Sequence, residues 1–268
     1  MEKEKLLKLQ KIEKSILVDI DKFCKENDIK YSLYAGTALG AVRHKGFIPW
    51  DDDIDICMER EEYNRFLSLW DKNNEKYDIQ STNDDSTLIN HTKIILNGTT
   101  LCSKKDLVNP INHGIWVDIF PLDRVPIEGL KRKLLKVYAQ IRIVYTRRYI
   151  PENVKGLTRF ILKLLFSIPK KMQKAIRNKC EKEVTKYNNK QLPLMSLSCP
   201  EELSLEYKPN TFDSFEEIMF DGNIFKITSH YDEFLTSCFG NYMQLPPEED
   251  RVCKHNPEVV DFGKYDRV

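Results

Sequence analysis

No stretch of this sequence has the roughly 18 consecutive apolar residues of a membrane span, so no spanning helix is expected. No two of the seven cysteines form Cys-x-x-Cys. Their odd number and scatter support neither a zinc site nor a disulfide framework, and they read as reduced, buried thiols. Gly-Lys-Ser/Thr is missing, which removes a P-loop. Gly-x-Ser-x-Gly, His-Glu-x-x-His and internal repeats are missing too. Asp261-Phe262-Gly263 copies a kinase tripeptide, but no His-Arg-Asp loop accompanies it. The first residues, MEKEKLLKLQKIEKSILVDIDKF, are charged throughout and hold no signal-peptide core, so a cytoplasmic protein is expected. Without such a core, the sequons at Asn90 and Asn97 carry little weight.

What is present is a globular composition, 41% hydrophobic and 31% charged, in 268 residues. The net charge of +1 hides an asymmetry. Leu130 to Lys190 holds 18 Lys and Arg against three acids, a local +15, and the remainder carries −14.

The acidic remainder contains the most informative stretch, YAGTALGAVRHKGFIPWDDDIDICME, from Tyr34 to Glu59. Asp53 and Asp55 alternate with Ile54 and Ile56, so a strand here would place both carboxylates on one face. Like charges so placed repel unless a cation lies between them. A few hard oxygen ligands suit Mg²⁺ or Mn²⁺ shared with substrate phosphates. Upstream, Gly36-Thr37 opens a short helical piece, Thr37 to Arg43, whose N–H groups would cradle a phosphate. A solvated acidic loop is the plainer reading, but apolar residues flank these acids on both sides. The glycine and distal glutamate of an EF-hand are missing. Asp51 and Asp52 read as positioning groups.

A second stretch, NHGIWVDIFPLD from Asn112 to Asp123, sets Asp118 in a hydrophobic strand. A lone buried aspartate is costly unless it is paired or binds metal. Beside the first acidic strand, Asp118 reads as a third metal ligand. Asp123 reads as the cap of the next helix. Elsewhere, periodicity predicts a helix over 2–27, a strand over 30–35, a helix over 59–71 and a strand over 77–81 before a polar loop, 82–86. Asn97-Gly98 predicts a hairpin between 91–96 and 99–102 that carries Lys93. Lys93 there is either solvated or a phosphate contact. Residues 192–200 read as a loop, 218–221 and 224–227 as two strands, and 230–239 as a helix capped by Ser229.

The basic part, 126–148 and 155–187, reads as helices broken by Pro151 and Pro169. Leu157, Phe160, Ile161, Leu164 and Leu165 form an apolar face beside Arg159, Lys163, Lys170 and Lys171. Two readings stay open for 130–190, a basic amphipathic helix at a membrane surface and a helical insertion with solvated lysines. No nucleic-acid motif is present, and no nucleic-acid partner is expected.

The stretch YAGTALGAVRHKGFIPWDDDIDICM resembles the signature of the LicD family, which fukutin and fukutin-related protein also resemble. The segment HGIWVDIFPLD resembles its second block, and GNYMQLPPEEDRVCKHNP its third, with Phe239 in place of a tyrosine. The resemblance covers residues 28–123 and 229–256 closely and the basic middle loosely. It implies a nucleotidyltransferase-like fold, α/β (α+β), a mixed sheet flanked by helices, with a basic helical insertion. The division expected is a catalytic core, 1–125, the insertion, 126–190, and a C-terminal part, 191–268, that completes the site. Thr37 stands where the superfamily has Gly or Ser. The resemblance also implies substrate contacts at Gly36, Thr37, Lys93, Arg251 and His255, beside the metal ligands Asp53, Asp55 and Asp118.

The residues by themselves support metal-dependent phosphoryl chemistry, with Asp118 as the proton acceptor. The resemblance supplies the substrate class. It implies transfer of phosphocholine from CDP-choline, or of another CDP-alcohol group such as that of CDP-ribitol, to a sugar hydroxyl. The acceptor would be a cell-surface glycan precursor, lipopolysaccharide or teichoic acid in type and lipid-linked. A choline head group would favour aromatic faces, and Trp50, Trp116, Tyr34, Phe47 and Tyr242 are available, each equally a core residue. Two other classes compete. A nucleotidyltransferase acting on a small molecule would release pyrophosphate, and a non-catalytic scaffold would bind through 130–190.

Overall fold

A computed structural model describes residues 1–70, 74–81, 89–104, 106–108, 111–147, 149–150, 154–197, 203, 205–255 and 257–267. In chain order the elements are α1 (Lys3–Glu26), β1 (Ser32–Leu33), α2 (Ala35–His44), β2 (Asp55–Glu59), α3 (Arg60–Leu69), β3 (Tyr77–Gln80), β4 (Thr92–Leu96) and β5 (Thr100–Cys102). Then follow β6 (Trp116–Val125), α4 (Gly129–Arg147), α5 (Gly156–Phe166), α6 (Lys170–Thr185), β7 (Leu194–Leu197), β8 (Phe215–Phe220), β9 (Asn223–Thr228), α7 (Tyr231–Phe239) and β10 (Val259–Asp261). This is the α/β arrangement expected, a mixed sheet flanked by helices.

The chain forms two compact units. The first comprises Met1–Gln80, His91–Pro121 and Asn210–Val268. Its sheet runs β1-β2-β6-β4-β3, with β5 paired to β10 and β8 to β9 alongside. Helix α1 forms because apolar residues recur at three and four, and that stripe becomes its buried face: Leu9, Ile12, Ile16, Leu17 and Ile20 are all nearly inaccessible. Phe23 of α1 meets Phe66 and Trp70 edge-on. Helix α2 comes so close to the following loop that a Cβ on Gly40 would lie 2.5 Å from Gly46 O. Gly40→Ala should therefore lower stability by about 1–3 kcal/mol, read as an earlier urea-unfolding midpoint than wild type.

The second unit comprises Ser81–Asn90 and Leu122–Pro209. The last residues of β6 pair antiparallel with β7, Leu122 opposite Leu197 and Val125 opposite Leu194. Val125, Leu135, Ala139, Val184, Tyr187 and Leu203 make its core. Buried Arg142 of α4 and Glu181 of α6 form an ion pair at 2.8 Å.

Several expectations change. Residues 194–197 form β7 rather than loop, because the exposed edge of β6 offers them a ladder. Asp123 caps no helix: it lies inside β6, fully buried, and accepts a hydrogen bond from Asn188 Nδ2 at 2.6 Å. The Asn97-Gly98 turn exists, with Gly98 at φ +79°, but its flanks do not form a hairpin. Both edges of β4 are occupied, by β3 and β6, so β5 turns away to β10. Ser229 does not cap α7. The N-cap is His230, whose own N–H goes to Thr228 Oγ1. The 82–86 loop and Pro151 lie outside the described residues.

Candidate active site

The site is built on the middle of the first unit's sheet. In the β4–β6 ladder Lys93 stands directly opposite Asp118. Because side chains alternate along a strand, Trp116, Asp118 and Phe120 share one face of β6; Lys93 lies on the facing strand β4 and His91 just before its first residue. Lys93 Nζ lies 3.7 Å from Asp118 Oδ1 and 3.6 Å from the centre of the Trp116 ring. Trp116 Nε1 donates to Asp118 Oδ2 at 2.8 Å. His91 Nε2 lies 2.8 Å from Asp118 Oδ1, near enough for an ion pair but without hydrogen-bond alignment, and its ring stacks obliquely on Phe120.

The acidic segment runs beside this wall. The Asp118 N–H donates to Ile54 O at 2.9 Å, and strand β2 proper begins only at Asp55. Thr37 Oγ1 accepts the Asp55 N–H at 2.8 Å, which pins the first turn of α2 to the acidic segment. A Cβ on Gly36 would meet Asp51 Oδ2 at 2.8 Å, so glycine lets that carboxylate close against the helix start. Just before it, Ala35 holds a left-handed φ of +43°, a strained conformation for a residue with a Cβ. Among the described residues no side-chain hydrogen bond caps α2. From the far end of the chain His255 reaches the acids, with Nδ1 3.2 Å from Asp52 Oδ1 and 3.9 Å from Asp53 Oδ2. Its ring meets Trp116 edge-on.

Electrostatics show why a cation fits. Burial, then the neighbouring Asp53 charge, pushes the Asp51 carboxyl up to about 7. Burial raises Asp53 as well, with Asp118 and Asp52 adding to it against the pull of His255. Burial would also raise Asp52, but the His255 hydrogen bond overcomes it and leaves the carboxyl low. The same contest at Asp118 is decided by Lys93 and His91, which hold it well below the usual carboxylate range. His255 is raised, chiefly by its hydrogen bond to Asp52. Asp52 Oδ2 is buried and has no hydrogen-bond partner among the described residues, whereas Asp118 Oδ1 lies within ion-pair distance of His91 and Lys93. Single ligand atoms of Asp52, Asp53 and His255 lie within 4.8 Å of one another. An orphaned carboxylate oxygen in a cluster of like charge, with one imidazole, belongs to a donor set for a divalent cation.

The structure thus brings Asp53, Asp118, Lys93 and His255 to one place, with Gly36 and Thr37 at its edge. Asp55 starts β2 and stands outside the three-residue cluster. Arg251 stacks over Trp50 with 5.8 Å from guanidinium carbon to ring centre, and its Nε donates to Pro246 O. Three participants escape a reading by motif. Asp52 belongs to the cluster itself rather than behind it. His91 was legible only through register, two residues before Lys93 on the same face. Glu13 is a buried carboxyl of α1 whose Oε2 has no hydrogen-bond partner among the described residues. It is raised by burial and then by Asp53, Asp52, Asp51 and Asp118. Its signal was a charged residue on the apolar stripe of α1. One turn earlier, Gln10 Nε2 donates to Asp51 O at 2.8 Å.

Comparison with known proteins agrees with this geometry. Residues 28–124 match the family model described as LicD/FKTN/FKRP, nucleotidyltransferase domain. The chain is 33% identical over 274 residues to the lipopolysaccharide cholinephosphotransferase LicD of Haemophilus influenzae, covering 97% of this chain and 99% of that protein. It is also similar to an uncharacterized protein of Rickettsia typhi, 43% identical over 54 residues, 20% of this chain and 18% of the other. An uncharacterized protein of Rickettsia prowazekii matches over 47 residues at 47% identity, 18% of each chain. With a relative of that identity matched along nearly its whole length, and an acidic site assembled from the same blocks, this chain belongs to the LicD family.

Proposed function

We propose that this protein is a cholinephosphotransferase that moves phosphocholine from CDP-choline to a sugar hydroxyl of a lipopolysaccharide-type glycan precursor. The observation that carries this reading is the end-to-end similarity to the Haemophilus lipopolysaccharide cholinephosphotransferase. A teichoic-acid precursor is the other acceptor of the same chemistry. A lipid-linked acceptor would be met at the cytoplasmic face of the membrane; among the described residues no helix is long and apolar enough to cross it.

Asp52, Asp53 and His255 would hold Mg²⁺ or Mn²⁺, with Asp118 and Asp55 completing the set. When bound, the cation supplies neutralising charge for the donor's diphosphate. The chain's own groups do the rest. The N–H groups at Gly36 and Thr37, at the start of α2, donate to phosphate oxygens. Lys93 and Arg251 offer positive charge beside the acids, and both already lie over indole rings. The acceptor oxygen attacks the phosphorus that bears choline. A bond from that oxygen to phosphorus forms, the bond from phosphorus to the CMP oxygen breaks, and CMP leaves with the electron pair. The hydroxyl proton passes to Asp118. That carboxylate stays ionised near neutral pH, so it is always available, though weakly basic.

The test is CMP release from CDP-choline with Mg²⁺ or Mn²⁺, with and without a glycan precursor. Acceptor-dependent CMP is the expected product. CMP from CDP-ribitol alone would keep the mechanism and change the head group, whereas pyrophosphate would replace this reading with nucleotidyl transfer.

A further inference from the structure

The helix α5 buries none of its residues, although seven of its eleven are Leu, Ile or Phe. Its inner side leans on α4, where the Phe166 ring meets Tyr145 edge-on at 6.2 Å and Tyr145 Oη donates to Leu165 O. Its outer side is Leu157, Phe160, Ile161 and Leu164, which are 74, 58, 46 and 55% exposed. Their spacing of three and four puts all of them on one face. Exposed apolar residues in such a contiguous stripe mark a docking surface. Charge identifies the partner. From Val154 to Cys180 the chain has eight Lys and Arg and no Asp or Glu. Lys163 lies on the helix between the apolar residues, and Lys170 and Lys171 open α6 directly after it; all three are exposed.

We propose that this face of α5 docks on an anionic lipid surface, lying in the plane of the headgroups with its apolar stripe inserted and its cations at the phosphates. A second copy of the chain would set like charge against like, and a nucleic acid would leave Phe160 and the leucines in water. The proposal does not depend on the reaction proposed above.

The experiment is co-sedimentation of the full chain with vesicles. Wild type should pellet with phosphatidylcholine vesicles containing about one quarter phosphatidylglycerol, a fraction that makes the surface strongly anionic. It should remain in the supernatant with pure phosphatidylcholine. The double variant Phe160→Glu/Leu164→Glu, at exposed positions, should lower the bound fraction about tenfold or more. Its circular dichroism should match wild type. Phe160→Trp reads the same contact without removing it, and its added emission should shift to the blue with anionic vesicles only. Absence of pelleting, pelleting unaffected by the double variant, or unshifted emission would each overturn the proposal. So would a concentration-dependent dimer abolished by the double variant without lipid binding, which would make the face a self-association surface.

Discussion

Replacing Asp53 with alanine should lower acceptor-dependent CMP release by about 10²–10³-fold, the order lost when one group facing developing charge is removed. The variant should nevertheless fold. Asp53 lies beside Asp51, Asp52 and Asp118, and its pKa is raised by folding, first through burial and then through Asp118 and Asp52. A carboxyl whose pKa rises on folding opposes folding at every pH above its unfolded value. Deleting it should leave the melting temperature in chelator unchanged or higher. Divalent cation should raise the melting temperature of wild type, because a ligand that binds only the native state stabilises it, and that rise should vanish in Asp53→Ala. A variant that lost activity and also melted earlier in chelator would show that Asp53 serves the fold rather than the site.

Glu181→Ala should lower stability by about 3 kcal/mol. The Arg142 side chain is only 3% exposed and pairs with Glu181 at 2.8 Å. Removing the carboxylate leaves a buried guanidinium short of its counter-ion, whereas removing both charges does not. Arg142→Met combined with Glu181→Leu should therefore recover most of the loss. Urea-unfolding midpoints of the single and double variants separate these outcomes. A single variant within about 0.5 kcal/mol of wild type would mean that the guanidinium's remaining contacts suffice.

Much of this was legible because the informative residues break local rules. Aspartates among isoleucines, and one aspartate inside a hydrophobic strand, demand partners that the sequence alone could name only by class. Lys93 was visible within its strand, but its partner was not, since register decides that it faces Asp118. The periodicity of α1 gave its length to within a residue or two, yet Glu13 on the same helix looked like one more surface charge. Strand β7 was hidden because its ladder depends on an edge of β6 more than sixty residues upstream. The false hairpin at Asn97-Gly98 has the same cause in reverse, a local turn signal overruled by distant pairing. His255 was placed by resemblance, and only the folded chain shows it touching Asp52.

The pairing of β10 with β5 bears on how the protein is made. Val259 to Asp261 align with Thr100 to Cys102, and His255 lies just before them. As the ribosome works from the N-terminus, the residues of the second unit, which end at Pro209, have all been made before this strand or this histidine exists. The nascent chain therefore carries its cluster of aspartates for most of its synthesis without the imidazole that balances them. The acidic cluster and the strand that follows its histidine can be completed only after translation has passed residue 261.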